Sequence, residues 1–185
     1  MSLIKVNTIQ NANGTTALSF AANGQVTLAN TPLQLTGGQI KFPGTQIASA
    51  DGNTLDDYEE GTWTPTILGV STYTTQNGTY IKIGKYVHIA GDVSGTDPGS
   101  IASLVITSLP FVSQGSPTVY GIGSVFPVSG FNTNATSTIL QGTPGQAQAI
   151  VYWVSSGATN YNQITSADLL ATFTFEFSLS YLATA

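Results

Sequence analysis

Four carboxylates crowd into five positions, Asp56, Asp57, Glu59 and Glu60, in the stretch TLDDYEEGTWTPTI. The whole chain has only nine acidic residues, so the crowding calls for a cause. A carboxylate pair working on a glycosidic bond is one chemistry such residues could do. That chemistry needs two groups held a set distance apart across a cleft, as a rule from different strands. Near neighbours on one stretch point to different sides, so the run reads as a solvated hinge between two differently built regions. In an oligomer these carboxylates would gather near the axis, to hold a cation or to repel one another.

Other reactive types are sparse. His88 is the only histidine, and there is no Cys, so a His-rich or thiolate zinc site cannot be assembled. His88 lies in an alternating stretch, facing opposite to Val87 and Ile89, and reads as a partly exposed strand residue. A Ser-His-Asp triad can be drawn in any Ser-rich chain, but no GxSxG elbow supports one here. Asp92 and Asp97 flank the turn DVSGTDPG, which lacks the alternating oxygen ligands of a calcium loop. Gly121 and Gly123 precede no helix, which removes a phosphate-cradle reading. No catalytic residue, metal site or cofactor is expected.

Binding chemistry is better represented. Sugar recognition pairs an aromatic face with side-chain amides and hydroxyls. Two loop-like stretches carry that mixture: SGFNTNATS, with Phe131, Asn132 and Asn134, and SSGATNYNQ, with Asn160, Tyr161 and Asn162. The competing role for Phe131 and Tyr161 is to plug the ends of a core. Trp63 and Trp153 read as core or interface residues.

The elements that must position these residues are strands. LATFTFEFSLSYLA alternates Phe173, Phe175, Phe177, Leu179 and Tyr181 with Thr174, Glu176, Ser178 and Ser180, which is the period of a half-buried strand. KYVHIAGDV repeats the theme with Val87, Ile89 and Val93, and Gly84 marks a turn after Ile81 and Ile83. Further strands are predicted at residues 101 to 107, 118 to 126, 137 to 141 and 147 to 154. No apolar pattern of helical period runs for three turns. Short strands between Gly and Pro turns predict an all-β head over residues 61–185, an antiparallel β-sandwich of jelly-roll type.

Residues 1–60 read differently. Asn13-Gly14 and Asn23-Gly24 stand ten residues apart, as do Leu18 and Leu28, and Asn-Gly favours tight turns. The apolar side chains are few: Ile4, Val6, Ile9, Leu18, Phe20, Val26, Leu28, Ile40 and Phe42 are the main ones. Burial returns about 25 cal/mol per Å², and ordering costs roughly 1.5 kcal/mol per residue. So few side chains do not cover that cost within one chain. Three copies wound about one axis would share these residues as a narrow core, so the expectation is an intertwined, trimeric β stem. The alternative is a floppy tail.

Composition narrows the function classes. Charged residues make up 7% of the chain, Arg is absent, and the net charge is −5, so there is no basic footprint for nucleic acid. An aromatic content of 10% argues against disorder. No apolar run is long enough to insert in a membrane, and the N-terminus carries no signal-peptide pattern. The absence of Cys suits assembly in a reducing cytoplasm.

Several of these stretches resemble a module of tail-fibre and appendage proteins of tailed bacteriophages. They are NTLDDYEEGTWTPTI, YTTQNGTYIKIGKYVHIAGDV, ITSLPF at 106–111 and the closing FSLSYLA. IKVNTIQNANGTTALSFAANGQVTL resembles the stem openings of such fibres, while residues 112–168 stay largely unmatched. The resemblance implies a homotrimer with an intertwined stem and three β-sandwich heads, mounted on a virion and attached to the bacterial surface, with a glycan as receptor. The alternative is a structural fibre that decorates capsid, baseplate or tail and carries no receptor site. An enzyme is not expected. Such fibres are often much longer and carry an anchoring domain, so here Met1 to Gln10 would have to serve as the attachment peptide to another virion protein, or another protein carries the joint.

Overall fold

The structure is a computed structural model that describes residues 8–10, 12–14, 16–20, 26–28, 38–45, 47, 49–51, 53–97, 99–115, 120–132 and 135–184. The chain is all-β, with one short 3₁₀ turn among the described residues. It divides into two compact units, residues 1–41 and 42–185. That division falls earlier than the boundary expected at residue 60, and the acidic run belongs to the second unit.

The first unit contains an antiparallel meander of β1 (Thr8–Gln10), β2 (Thr16–Phe20) and β3 (Val26–Leu28). Gly14, at φ 75, lies in the turn between β1 and β2, as the Asn-Gly pair predicts. Ile9 pairs with Leu18, and Leu18 with Leu28, so the ten-residue spacing places these residues in one row across three strands. Ile9 is half exposed and Ile40 is 64% exposed. Ile4 and Val6 lie outside the described residues. Leu18, Phe20, Val26 and Leu28 are described by their backbone alone.

The second unit, the head, is one continuous sheet. Its strands are β4 (Tyr58–Trp63), β5 (Thr66–Ile67), β6 (Tyr73–Ile83), β7 (Tyr86–Thr96), β8 (Val105–Thr107), β9 (Ile122–Phe131), β10 (Ala135–Gly142), β11 (Ala149–Ser155), β12 (Asn162–Gln163) and β13 (Leu169–Leu182). They pair antiparallel in the order β4-β6-β7-β13-β9-β10-β11-β8-β5, with β12 beside β11. Consecutive strands β4 and β5 therefore occupy opposite ends of the path. Two residues connect them, a reach of roughly 10 Å between Trp63 and Thr66. The sheet must curl until its ends approach, and it forms a half-barrel. Side chains stitch the seam: Gln76 Nε2 donates to Pro65 O at 2.8 Å, and the Tyr73 hydroxyl accepts from Ile67 N at 2.7 Å.

Sequence period explains which face is core. In β13, Phe173, Phe175, Phe177, Leu179 and Tyr181 are all at most 5% exposed and face inward. Val87, Ile89 and Val93 join them from β7, and Ile106, Leu140 and Val151 from the other limb of the curl. Burying each such side chain stabilises by about 1.5–3 kcal/mol. Gly84, at φ 55, opens the two-residue turn between β6 and β7, where Ile83 pairs with Tyr86. Gly123 cannot be replaced, because a Cβ there would lie 1.9 Å from Ser178 O on β13.

Candidate functional site

The acidic run is only partly drawn into the head: Asp57 is buried and Asp56 half-buried, while Glu59 and Glu60 stay exposed. Asp57 is buried and forms an ion pair with buried Lys82, whose ammonium lies 5.4 Å from the centre of the Phe111 ring. Asp56 accepts from Ser49 N at 2.8 Å. Glu59 accepts from the Tyr80 hydroxyl at 2.6 Å, and Glu60 from the Tyr58 hydroxyl at 2.7 Å. Each carboxylate has a different partner, and Asp57 and Glu59 bind Lys82 and Tyr80 on one face of β6, so the run serves the head's first strand. The phenols report the contacts. Hydrogen bonding to Glu59 holds Tyr80 up to about 12, and hydrogen bonding to Glu60 raises Tyr58.

The two loops proposed for sugar binding come to one end of the sheet. Ala135, which follows the first loop, pairs with Ser155, which precedes the second. Phe131 sets its ring edge-on to Phe175 at 6.0 Å and packs against the core. Asn132 is exposed, with its backbone N–H bonded to Asp168 O. Asn134 lies outside the described residues. Asn160, Tyr161 and Asn162 are exposed, and the Tyr161 ring is 52% exposed. Trp63 and Trp153 are partly buried against the core.

His88 is exposed on the outer face of β7. Its Nδ1 lies 3.0 Å from Ser180 Oγ, which also accepts from the Tyr86 hydroxyl at 2.9 Å. The arrangement is a cross-strand hydrogen-bond cluster on an open sheet face. Asp97 ties its loop together, accepting from Gly99 N at 3.1 Å and from Ser166 Oγ at 2.8 Å. No cluster of three His, Cys, Asp or Glu occurs among the described residues.

Register creates an outer face that sequence reading did not assemble. Tyr58, Ile83, Tyr86 and Leu182 form one row across β4, β6, β7 and β13. Ile81, His88, Ser180 and Ile122 lie in the next row. Tyr58, Ile81, Ile83, Tyr86, Ile122 and Leu182 are each 39–62% exposed. Further along the same face lies a cavity of about 720 Å³, lined by Thr62, Asn77, Thr79, Asp92 and Glu176 among others. The outward positions of β6, β7 and β13 carried this signal, but only the pairing brings them together.

Comparison with protein-family models, with curated proteins and with solved structures found no match. The geometry of the head therefore stands by itself. Among the described residues no helix is long and apolar enough to cross a membrane.

Proposed function

We propose that this protein is a homotrimeric virion appendage of a tailed bacteriophage, a tail fibre that attaches to a glycan on the host surface. In this reading residues 1–41 supply the intertwined stem and the curled sheet supplies three sandwich-like heads. The observation that carries it is the apolar end of the head's outer face. Six large side chains in two adjacent rows stand open to solvent there, and exposed contiguous patches of this kind mark interaction surfaces. A second and third copy of the same chain are the occupants that suit it, because the chain enters the sheet at Tyr58, within the patch. The exposure of Ile9 and Ile40 supports shared burial in the stem as well. The sequence resemblance supports the virion setting, and three copies would multiply a weak surface contact by avidity.

Light scattering after size exclusion tests the assembly. Three times the 19.2 kDa chain is about 58 kDa. A stable species of that mass, reduced by Ile81→Lys with Ile83→Lys, is the expected result. A wild-type monomer overturns the trimer. Labelling of host cells by the purified protein is the expected functional outcome. A protein that sits on the virion and ignores cells would be a decoration fibre instead.

A further inference from the structure

We infer that the outer-face groove across β4, β6, β7 and β13, extended to Phe126 on β9, binds an uncharged glycan. The inference rests on the attachment reading and assigns it a site other than the loop end. The groove has a volume of about 720 Å³, within the range of ~300–1,000 Å³ typical of ligand sites. Glu176 also lines a neighbouring hollow with Ser124, Phe126 and Ser178, so the two depressions adjoin, with Glu176 and Phe177 common to both.

Chemistry selects the ligand. Asp92 and Glu176 pair directly across β7 and β13, and like charges so placed destabilise a sheet. Asn77 Nδ2 donates to both Asp92 oxygens at 3.3 Å. Glu176 has no ion-pair partner among the described residues. The wall therefore offers acceptors and repels anions. The neighbouring row, Thr62, Thr79, Ala90, Ser178 and Ser124, is small and mostly hydroxylated. Sugar hydroxyls can donate to the carboxylates while exchanging bonds with that row. Phe126 pairs with Glu176 and is 66% exposed, so its ring is free to receive the apolar face of a pyranose. A cationic peptide would satisfy the carboxylates but gain little from the hydroxyl row, and an acidic sugar would be repelled.

The test is calorimetric titration of the full-length protein with short soluble probes. These are gluco-, manno- and galacto-hexaoses, tetra-N-acetylchitotetraose, an oligogalacturonate and an oligolysine, with host-cell labelling measured beside them. Saturable binding of a neutral oligosaccharide, weakened about tenfold or more by Phe126→Ala and by Glu176→Gln, is expected. Both side chains are exposed, and Glu176→Gln relieves the repulsion from Asp92, so neither variant should melt appreciably below wild type. Binding by none of the neutral probes, or by the oligogalacturonate or oligolysine alone, overturns the inference. Loss on Tyr161→Ala with both groove variants unchanged also overturns it and moves the site to the loops. Cells labelled by a protein with an inert groove would leave attachment standing. Unlabelled cells with a working groove would remove attachment and keep the site.

Discussion

In the head, Phe173, Phe175, Ile89 and Leu140 are closed off from water by the same chain that carries them. In the N-terminal unit, Ile9 and Ile40 are at least half exposed. The two regions thus put apolar residues to different use. The curled sheet buries a long alternating strand against two limbs and needs no second copy for its core. The meander has three strands of 3, 5 and 3 residues, the fewest strands that can be stable alone, and then only with an apolar face to bury. The head closes its own core, whereas under the proposed trimer the N-terminal unit would gain its order from association.

That contrast can be broken most severely by forcing the copies apart. If the chain assembles as proposed, residues 1–41 of the wild type should resist proteinase K on the time scale on which the head resists. In the Ile81→Lys/Ile83→Lys protein they should be trimmed, while residues 42–185 survive. Mass spectrometry of the digest reads the difference. Equal survival of residues 1–41 in both would mean that the meander supports itself.

Core damage should act on the head alone and is the next largest effect. Phe175 is fully buried and touches Phe131, Phe173 and Phe177 through ring contacts. Phe175→Ala should cost about 3–5 kcal/mol in urea unfolding. A cost below about 1 kcal/mol would show that the head's core is not what holds it.

Polar burial supplies a third, smaller break. Removing Asp57 leaves Lys82 charged in a buried place, and losing one partner of such a pair costs about 3 kcal/mol or more. Asp57→Leu with Lys82→Met should recover most of that loss in the same urea experiment. If the double variant is as unstable as Asp57→Ala, the pair is not acting as a coupled unit.

These sites also show how far the sequence could be read. The period of β13 is local, and it announced strand, length and buried face together. Gly84 and Asn13-Gly14 are local too, and their turns stand where expected. Pairing is not local. Nothing in residues 54 to 67 reveals that Lys82, 25 positions on, takes Asp57 into the core. Nothing in β4 and β5 reveals that two adjacent strands end a sheet at opposite edges until the partners of each are known. The same holds for the groove. Asp92 was legible only as a turn residue and Glu176 only as a polar position, because their opposition depends on the register of β7 with β13. Phe131 had a binding composition around it, but a ring at a strand end is drawn to the nearest apolar neighbour, here Phe175.

The smallest expected effect is a titration, and it separates inside from outside within the head. Burial pushes the Tyr181 phenol up to about 12, and the hydrogen bond to Glu59 does the same for Tyr80. In the unfolded chain both return to about 10. The folded state then holds protons more tightly between those values, so stability is complete below about pH 10 and declines as pH rises toward 12. Melting temperature should fall over that window as tyrosinate absorbance rises. Tyr181 donates to Phe111 O at 3.0 Å, so Tyr181→Phe should cost about 1 kcal/mol at neutral pH and make the alkaline decline shallower. Tyr80→Phe should flatten the decline less, because its shift comes from a contact open to solvent and screened by salt. If Tyr80→Phe removes more of the alkaline decline than Tyr181→Phe, the surface contact rather than the interior governs the head's response to base.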